Sequence, residues 1–188
     1  MNDARALWDL TDPAHPRELA DLAAPEEVMD VAFSDDGRTL AATGRDGTTA
    51  LWDLTDRAHP KPLPRLTGGH DGPVNAVAFA PGGRLVGTVG DDRRLVLWDL
   101  TDRDHPVKLI AAAQHGNEVM GVAFSPDGTT AITTGEDGNI GAWPLEDLTR
   151  TVRDVVGRAC EMAGGDVSRE DWALLVPGVP FERTCADS

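Results

Sequence analysis

Up to Trp143, apolar residues come in short runs rich in Val, Leu, Thr and Ala, each bounded by Gly, Asp or Pro. Runs of this length and composition predict β-strands. The clearest set is Val74 to Phe79, Arg84 to Val89 and Arg94 to Trp98, with Ala80-Pro81-Gly82-Gly83 as a turn after the first run. The set recurs along the chain. Phe33, Phe79 and Phe124 each close a Val-Ala-Phe and each precede a Trp by 19 residues, with Ser34-Asp35-Asp36-Gly37 and Ser125-Pro126-Asp127-Gly128 as the other two turns. A fourth strand is predicted at Arg17 to Leu22, Lys61 to Leu66 and Val107 to Ala111, each entered through Asp-x-x-His-Pro. Proline fits the first residue of an outer strand, where no ladder donor is needed.

The hexapeptide Leu-Trp-Asp-Leu-Thr-Asp appears at Leu7 to Asp12, Leu51 to Asp56 and Leu97 to Asp102, with a degenerate copy at Ala142 to Asp147. Trp8, Trp52, Trp98 and Trp143 lie 44, 46 and 45 residues apart. A period of this size means one supersecondary unit stacked on copies of itself. Four antiparallel strands per period, ending in Trp-Asp, resemble the WD40 repeat, whose units are blades of a β-propeller. The resemblance covers residues 1–147, in units of 1–22, 23–66, 67–111 and 112–147. It implies an all-β fold, a partial and open propeller of about three full four-stranded blades plus a half blade.

WD40 blades are typically held by a hydrogen-bonded His, Ser/Thr, Asp and Trp. The resemblance assigns this tetrad to His70, Thr88, Asp92 and Trp98, and again to His115, Thr133, Asp137 and Trp143. The preceding unit keeps Asp46 and Trp52 but has Ala24 and Ala42 at the other two places. That blade is expected to be looser, with Asp46 supported by the backbone of its Asp46-Gly47 turn.

His, Thr and Asp together also suggest a catalytic triad. Their repetition at matched positions argues for a structural role, and none of the four Ser residues lies in Gly-x-Ser-x-Gly. His15, His59 and His105 are expected to form turns on separate blades, so no metal site is expected. No phosphate-binding Gly-x-x-x-x-Gly-Lys is present, and no cofactor is expected. A formal net charge of -15, from 32 acidic against 17 basic residues, disfavours nucleic acid and anionic membrane as partners. Neither a signal peptide nor an 18-residue apolar span is evident, which predicts a cytoplasmic protein.

After Trp143 the period stops. Residues 148–188 are expected to form a helical cap, with one amphipathic helix from Asp147 to Met162 and a second short one after Ser168. Trp172 and Phe181 are expected to pack that cap on the last blade. Cys160 and Cys185 would close a loop worth roughly 3 kcal/mol if bridged, and are expected as thiols in a reducing compartment. The tail resembles that of large bacterial WD40 proteins in which the propeller follows a STAND-type signalling NTPase.

The expected function is a non-catalytic protein interaction scaffold or sensor of WD40 type. The alternative is a regulatory domain or subunit of an enzyme, such as a STAND-type NTPase, whose catalytic part lies elsewhere. Candidate partner-binding residues are Arg45, Asp91 and Glu136, just before the turn Asp, and Met29, Asn75 and Met120, early in the innermost strand. They vary while the framework repeats. Propellers usually have four to eight blades. The chain is therefore expected to be the C-terminal piece of a longer protein, or to be completed by another copy in a composite ring of about seven blades, or by a separate chain.

Overall fold

In the computed structural model, residues 6–25 and 27–145 are described. They form thirteen strands: β1 (Ala6–Asp9), β2 (Arg17–Asp21), β3 (Val28–Phe33), β4 (Thr39–Gly44), β5 (Thr49–Asp53), β6 (Lys61–Leu66), β7 (Val74–Phe79), β8 (Leu85–Gly90), β9 (Arg94–Asp99), β10 (Val107–Ala113), β11 (Val119–Phe124), β12 (Thr130–Gly135) and β13 (Ile140–Pro144). These make four antiparallel sheets in sequence order, of two, four, four and three strands. Neighbouring sheets come closest at β3, β7 and β11, with β4 and β8 beside them, so the sheets fan outward from that line. Among the described residues the fan is not closed into a ring. The last sheet has three strands among the described residues. The expected cap helices, Trp172, Phe181, Cys160 and Cys185 all lie outside the described residues.

Local chemistry explains why the hexapeptide repeats. Its first Asp accepts the amide of the Thr two residues on, from Thr11 to Asp9 at 3.0 Å, Thr55 to Asp53 at 2.8 Å and Thr101 to Asp99 at 2.7 Å. Its second Asp takes the imidazole Nδ1 of the following His: His15 to Asp12, His59 to Asp56 and His105 to Asp102, at 2.9, 3.0 and 2.9 Å. Each pair closes an Asx-type turn that leads into the outer strand. The three His rings are exposed, belong to separate turns and pair within them. Asp102, helped by Asp104, holds the His105 ring above its ordinary pKa.

Packing is inter-sheet. Ala41, Leu51, Leu63 and Leu66 of the second sheet meet Val77, Val86, Val96, Trp98 and Leu100 of the third. Val89, Leu95 and Leu97 of the third meet Val119, Ala131, Trp143 and Leu145 of the fourth. The first sheet contributes only Leu7, with Leu22 and Ala24 just after β2, against Leu40, Ala42, Ala50, Trp52 and Leu54. Polar ties cross the same boundaries: the Asp30 carboxylate accepts the Val77 amide at 3.0 Å, and Asn75 Nδ2 donates to the Val119 carbonyl at 3.1 Å.

One turn breaks the repeat's own rule. The residue after the turn Asp has a left-handed backbone in all three complete turns, at φ 81 for Gly47, 76 for Gly138 and 67 for Arg93. Arg93 is the one non-glycine there, and among the described residues the one non-glycine with positive φ. A Cβ in that conformation is strained. Arg93→Gly is therefore expected to raise stability by about 0.5–1 kcal/mol, and a urea midpoint that does not rise would remove the strain assignment.

Candidate functional site

The strands place two four-residue networks at matched positions. The Trp98 indole Nε1–H donates to Thr88 Oγ1 at 3.0 Å, Thr88 Oγ1 lies 2.9 Å from His70 Nε2, and His70 Nδ1 lies 3.0 Å from Asp92 Oδ1. In the fourth sheet the distances are 2.9 Å for Trp143 to Thr133, 2.8 Å for Thr133 to His115, and 3.1 Å for His115 to Asp137 Oδ1. The donor inventory gives the sense of the chain. Indole can only donate and carboxylate can only accept, so the Thr oxygen receives the indole proton and each imidazole turns an Nδ1–H to its carboxylate.

Each carboxylate also fastens its own turn. Asp92 accepts the amides of Asp71 at 3.1 Å and Arg94 at 3.2 Å, and Asp137 those of Gly116 at 2.7 Å and Asn139 at 3.0 Å. The network thus ties the loop before the inner strand to the hairpin turn beyond it. Gly135 is required beside it, because a Cβ there would stand 2.5 Å from His115 Nδ1 and 2.8 Å from Asp137 Oδ1. The Thr88 and Thr133 hydroxyls are wholly buried, so neither can meet a substrate as a nucleophile. The His, Thr and Asp groups serve as a brace.

The second sheet departs from this. Ala42 stands in the register position of Thr88 and Thr133, and Ala24 packs against the cluster that holds Trp52. Asp46 accepts the Thr48 amide at 3.0 Å and its hydroxyl at 2.8 Å, in agreement with backbone support at the turn. It is not a buried acid, however. Its side chain is 50% exposed, against 5% for Asp92 and 12% for Asp137, and Arg65 stands 3.7 Å away. Without an imidazole to meet, the carboxylate keeps its water.

Charge state follows from these contacts. Burial pushes the Asp92 carboxyl up, but the His70 hydrogen bond and charge, with the Asp71 and Arg94 amides, outweigh it and hold the group below its ordinary value. The Gly116 amide, then His115, then the Asn139 amide hold Asp137 strongly down. A depressed folded-state carboxyl binds fewer protons than the unfolded one, so stability rises with pH across the gap. This contribution is complete above the unfolded value near pH 4 and is lost as pH falls through the folded one. Melting midpoints between pH 7 and pH 3 should fall more steeply for the wild type than for Asp92→Asn; parallel curves would contradict the assignment.

The candidate binding residues gather where the braced loops emerge. Asn75 Nδ2 donates to Asp91 Oδ1 at 2.8 Å and lies 3.6 Å from Met120 Sδ, which joins three of them across the third and fourth sheets. Glu136 receives Asn117 Nδ2 at 3.4 Å. Arg45 is set apart on the second sheet, paired with Glu27 at 3.4 Å, and Met29 is exposed on β3. Glu118 was missed by the sequence reading. Asp91 first, then burial, then Glu136 push its carboxyl up, so the three acids form one crowded group. The position was open to recognition, since Glu27, Pro73 and Glu118 each directly precede an inner strand.

The WD40 profile, described as WD domain, G-beta repeat, matches residues 17–53, 61–99 and 108–143. Those three segments cover more than half of the chain and coincide with its repeated strands. The chain belongs to the WD40 repeat family. WD40 domains are in general non-catalytic modules that mediate protein–protein interactions. The four sheets are accordingly blades of a partial propeller, two of them complete at four strands. No curated protein matches the chain.

Proposed function

We propose that this WD40 module is a scaffold or sensor that binds a protein partner on the face carrying Asn75, Asp91, Glu118, Met120 and Glu136. The observation that supports this most directly is that Asp91 and Glu136, which differ between copies, sit on loops fastened by the two braces. Asp91 directly precedes the turn Asp that His70 holds, and Glu136 directly precedes the one that His115 holds. A rigid frame with a varied rim is how a repeat presents a specific surface at low entropic cost. Three acids with exposed methionines suit a partner that brings basic and apolar groups together. Met29 and Arg45 extend the surface onto the second blade.

A larger signalling protein and a cytoplasmic setting belong to this proposal, supported by the resemblance of the tail to those of bacterial WD40 proteins and by the composition. No helix among the described residues is long and apolar enough to cross a membrane. Affinity capture from the native cell extract with the wild-type chain, an Asp91→Lys/Glu136→Lys variant and a Lys61→Glu control tests the reading. A partner held by the wild type and the control but lost from the double variant is the expected result. Capture that ignores the double variant would overturn it.

A further inference from the structure

The strain at Arg93 has no local reward. The three turns are built alike: the turn Asp accepts the amide two residues on, that of Thr48, Arg94 or Asn139, and the residue between donates its own amide to a glycine carbonyl, from Gly47 to Gly44 at 3.3 Å, Arg93 to Gly90 at 3.2 Å and Gly138 to Gly135 at 3.1 Å. All of these bonds use backbone amides, so glycine would make them without a left-handed Cβ. Room is not the reason either. A Cβ at Gly47 would stand 3.0 Å from the Gly72 carbonyl oxygen, but one at Gly138 would meet nothing within 4 Å, and glycine stands there all the same. A strained residue that brings no structural gain points to a function for its side chain.

That side chain is exposed, and among the described residues it is the one arginine at this end of the blades without a partner. Arg45 pairs with Glu27 at 3.4 Å, Arg65 with Asp46 at 3.7 Å and Arg94 with Asp71 at 2.8 Å. The acids nearest to Arg93 in sequence are committed elsewhere: Asp91 Oδ1 holds Asn75 Nδ2 at 2.8 Å, and Asp92 is turned inward to His70 and the Asp71 amide. By the equivalence of the repeats, Gly72 beside Gly47 corresponds to Asn117 beside Arg93. Arg93 therefore stands at the border of the group formed by Asp91, Glu118 and Glu136, the last of which Asn117 meets.

We propose that Arg93 is a specificity-determining residue of the acidic face, taking a carboxylate of the bound protein segment while Asp91, Glu118 and Glu136 take a basic side chain close by in the same segment. The partner segment then carries an acid and a base together, not bases alone. The proposal rests on the reading of this face as a protein-binding surface and narrows the class of partner. A guanidinium presents a planar fork that fits a carboxylate with two hydrogen bonds. A carboxylate also suits the surroundings better than a phosphate. With a net charge of -15 on the chain and three acids beside the site, a group of about two negative charges is repelled more than a group of one. An exposed pair of this kind adds more discrimination than affinity, because a segment with a second base in place of the acid meets Arg93 as a like charge.

The probe is a phage-displayed library of random peptides, selected on the full chain, with the recovered peptides synthesised and their affinities measured by fluorescence anisotropy. Expected are peptides with an Asp or Glu at a fixed spacing from a Lys or Arg, whose affinity for the wild type falls about tenfold when that acid is replaced by Lys. In Arg93→Gly, the more stable protein, the preference for the acid is lost, and in Arg93→Glu it is reversed. Arg84→Gln, an exposed arginine at the opposite end of β8, leaves it unchanged. Recovered peptides that lack the acid, or an acid preference that survives in Arg93→Gly, would overturn the proposal and leave the acidic face standing. Peptides that bind Asp91→Lys/Glu136→Lys as tightly as the wild type, or the recovery of none, would overturn the acidic face as a binding surface and this proposal with it.

Discussion

Trp98→Ala is expected to lower the free energy of unfolding by about 3–5 kcal/mol, while Trp8→Ala, in the same hexapeptide, costs about 1 kcal/mol or less. Trp98 is buried between the second and third blades among Ala41, Leu51, Val77 and Leu100, and its indole also supports Thr88. Its removal loses both transfer energy and a packed cavity wall. Trp8 keeps half its surface in water, and among the described residues its strand pairs on one side only. Leu10 and Leu100 repeat the contrast, the first exposed and the second buried. Urea denaturation of the three proteins measures the difference, and equal losses at Trp8 and Trp98 would mean that the first blade is as well packed as the third.

Thr88→Val should cost roughly 2–4 kcal/mol despite keeping the side chain's shape. The hydroxyl is wholly buried and serves two partners, so its loss leaves the Trp98 N–H and His70 Nε2 both unsatisfied, at about 1–3 kcal/mol each. His70→Ala together with Thr88→Val should cost less than the sum of the two single changes, because the second removes a group that the first has already left without its partner. A strictly additive cycle would show that the four groups do not act as one network. Activity assays would not reveal this, since the role is positional.

The period, the strands and the family were legible because each depends on short-range chemistry that the chain repeats: turn acids, a Trp at fixed spacing, Val-Ala-Phe before a Gly turn. Both braces were legible through resemblance, because His70 and Asp92, like His115 and Asp137, keep the same separation. What escaped reading depends on neighbours far along the chain. Asp46 has the motif of Asp92 yet stays in water, since the missing imidazole changes its surroundings and not its own turn. Glu118 gains its character from Asp91, contributed by the preceding blade. Arg93 in a left-handed turn could not be foreseen, because Arg itself has no preference for that conformation. Phe33 and Phe79 are alike in sequence and differ in burial only through what lies beside them.

Position in the stack, then, decides what each copy of the repeat contributes, and the braced third and fourth blades hold the proposed binding face rigid. Residue-resolved amide hydrogen exchange on the full chain tests this most directly. β8 and β9 are expected to exchange only through global unfolding, the second and fourth blades to be next in protection, and β1 and β2 to exchange fastest of the described strands. Protection that is uniform across the four blades, or greatest in β1 and β2, would contradict it.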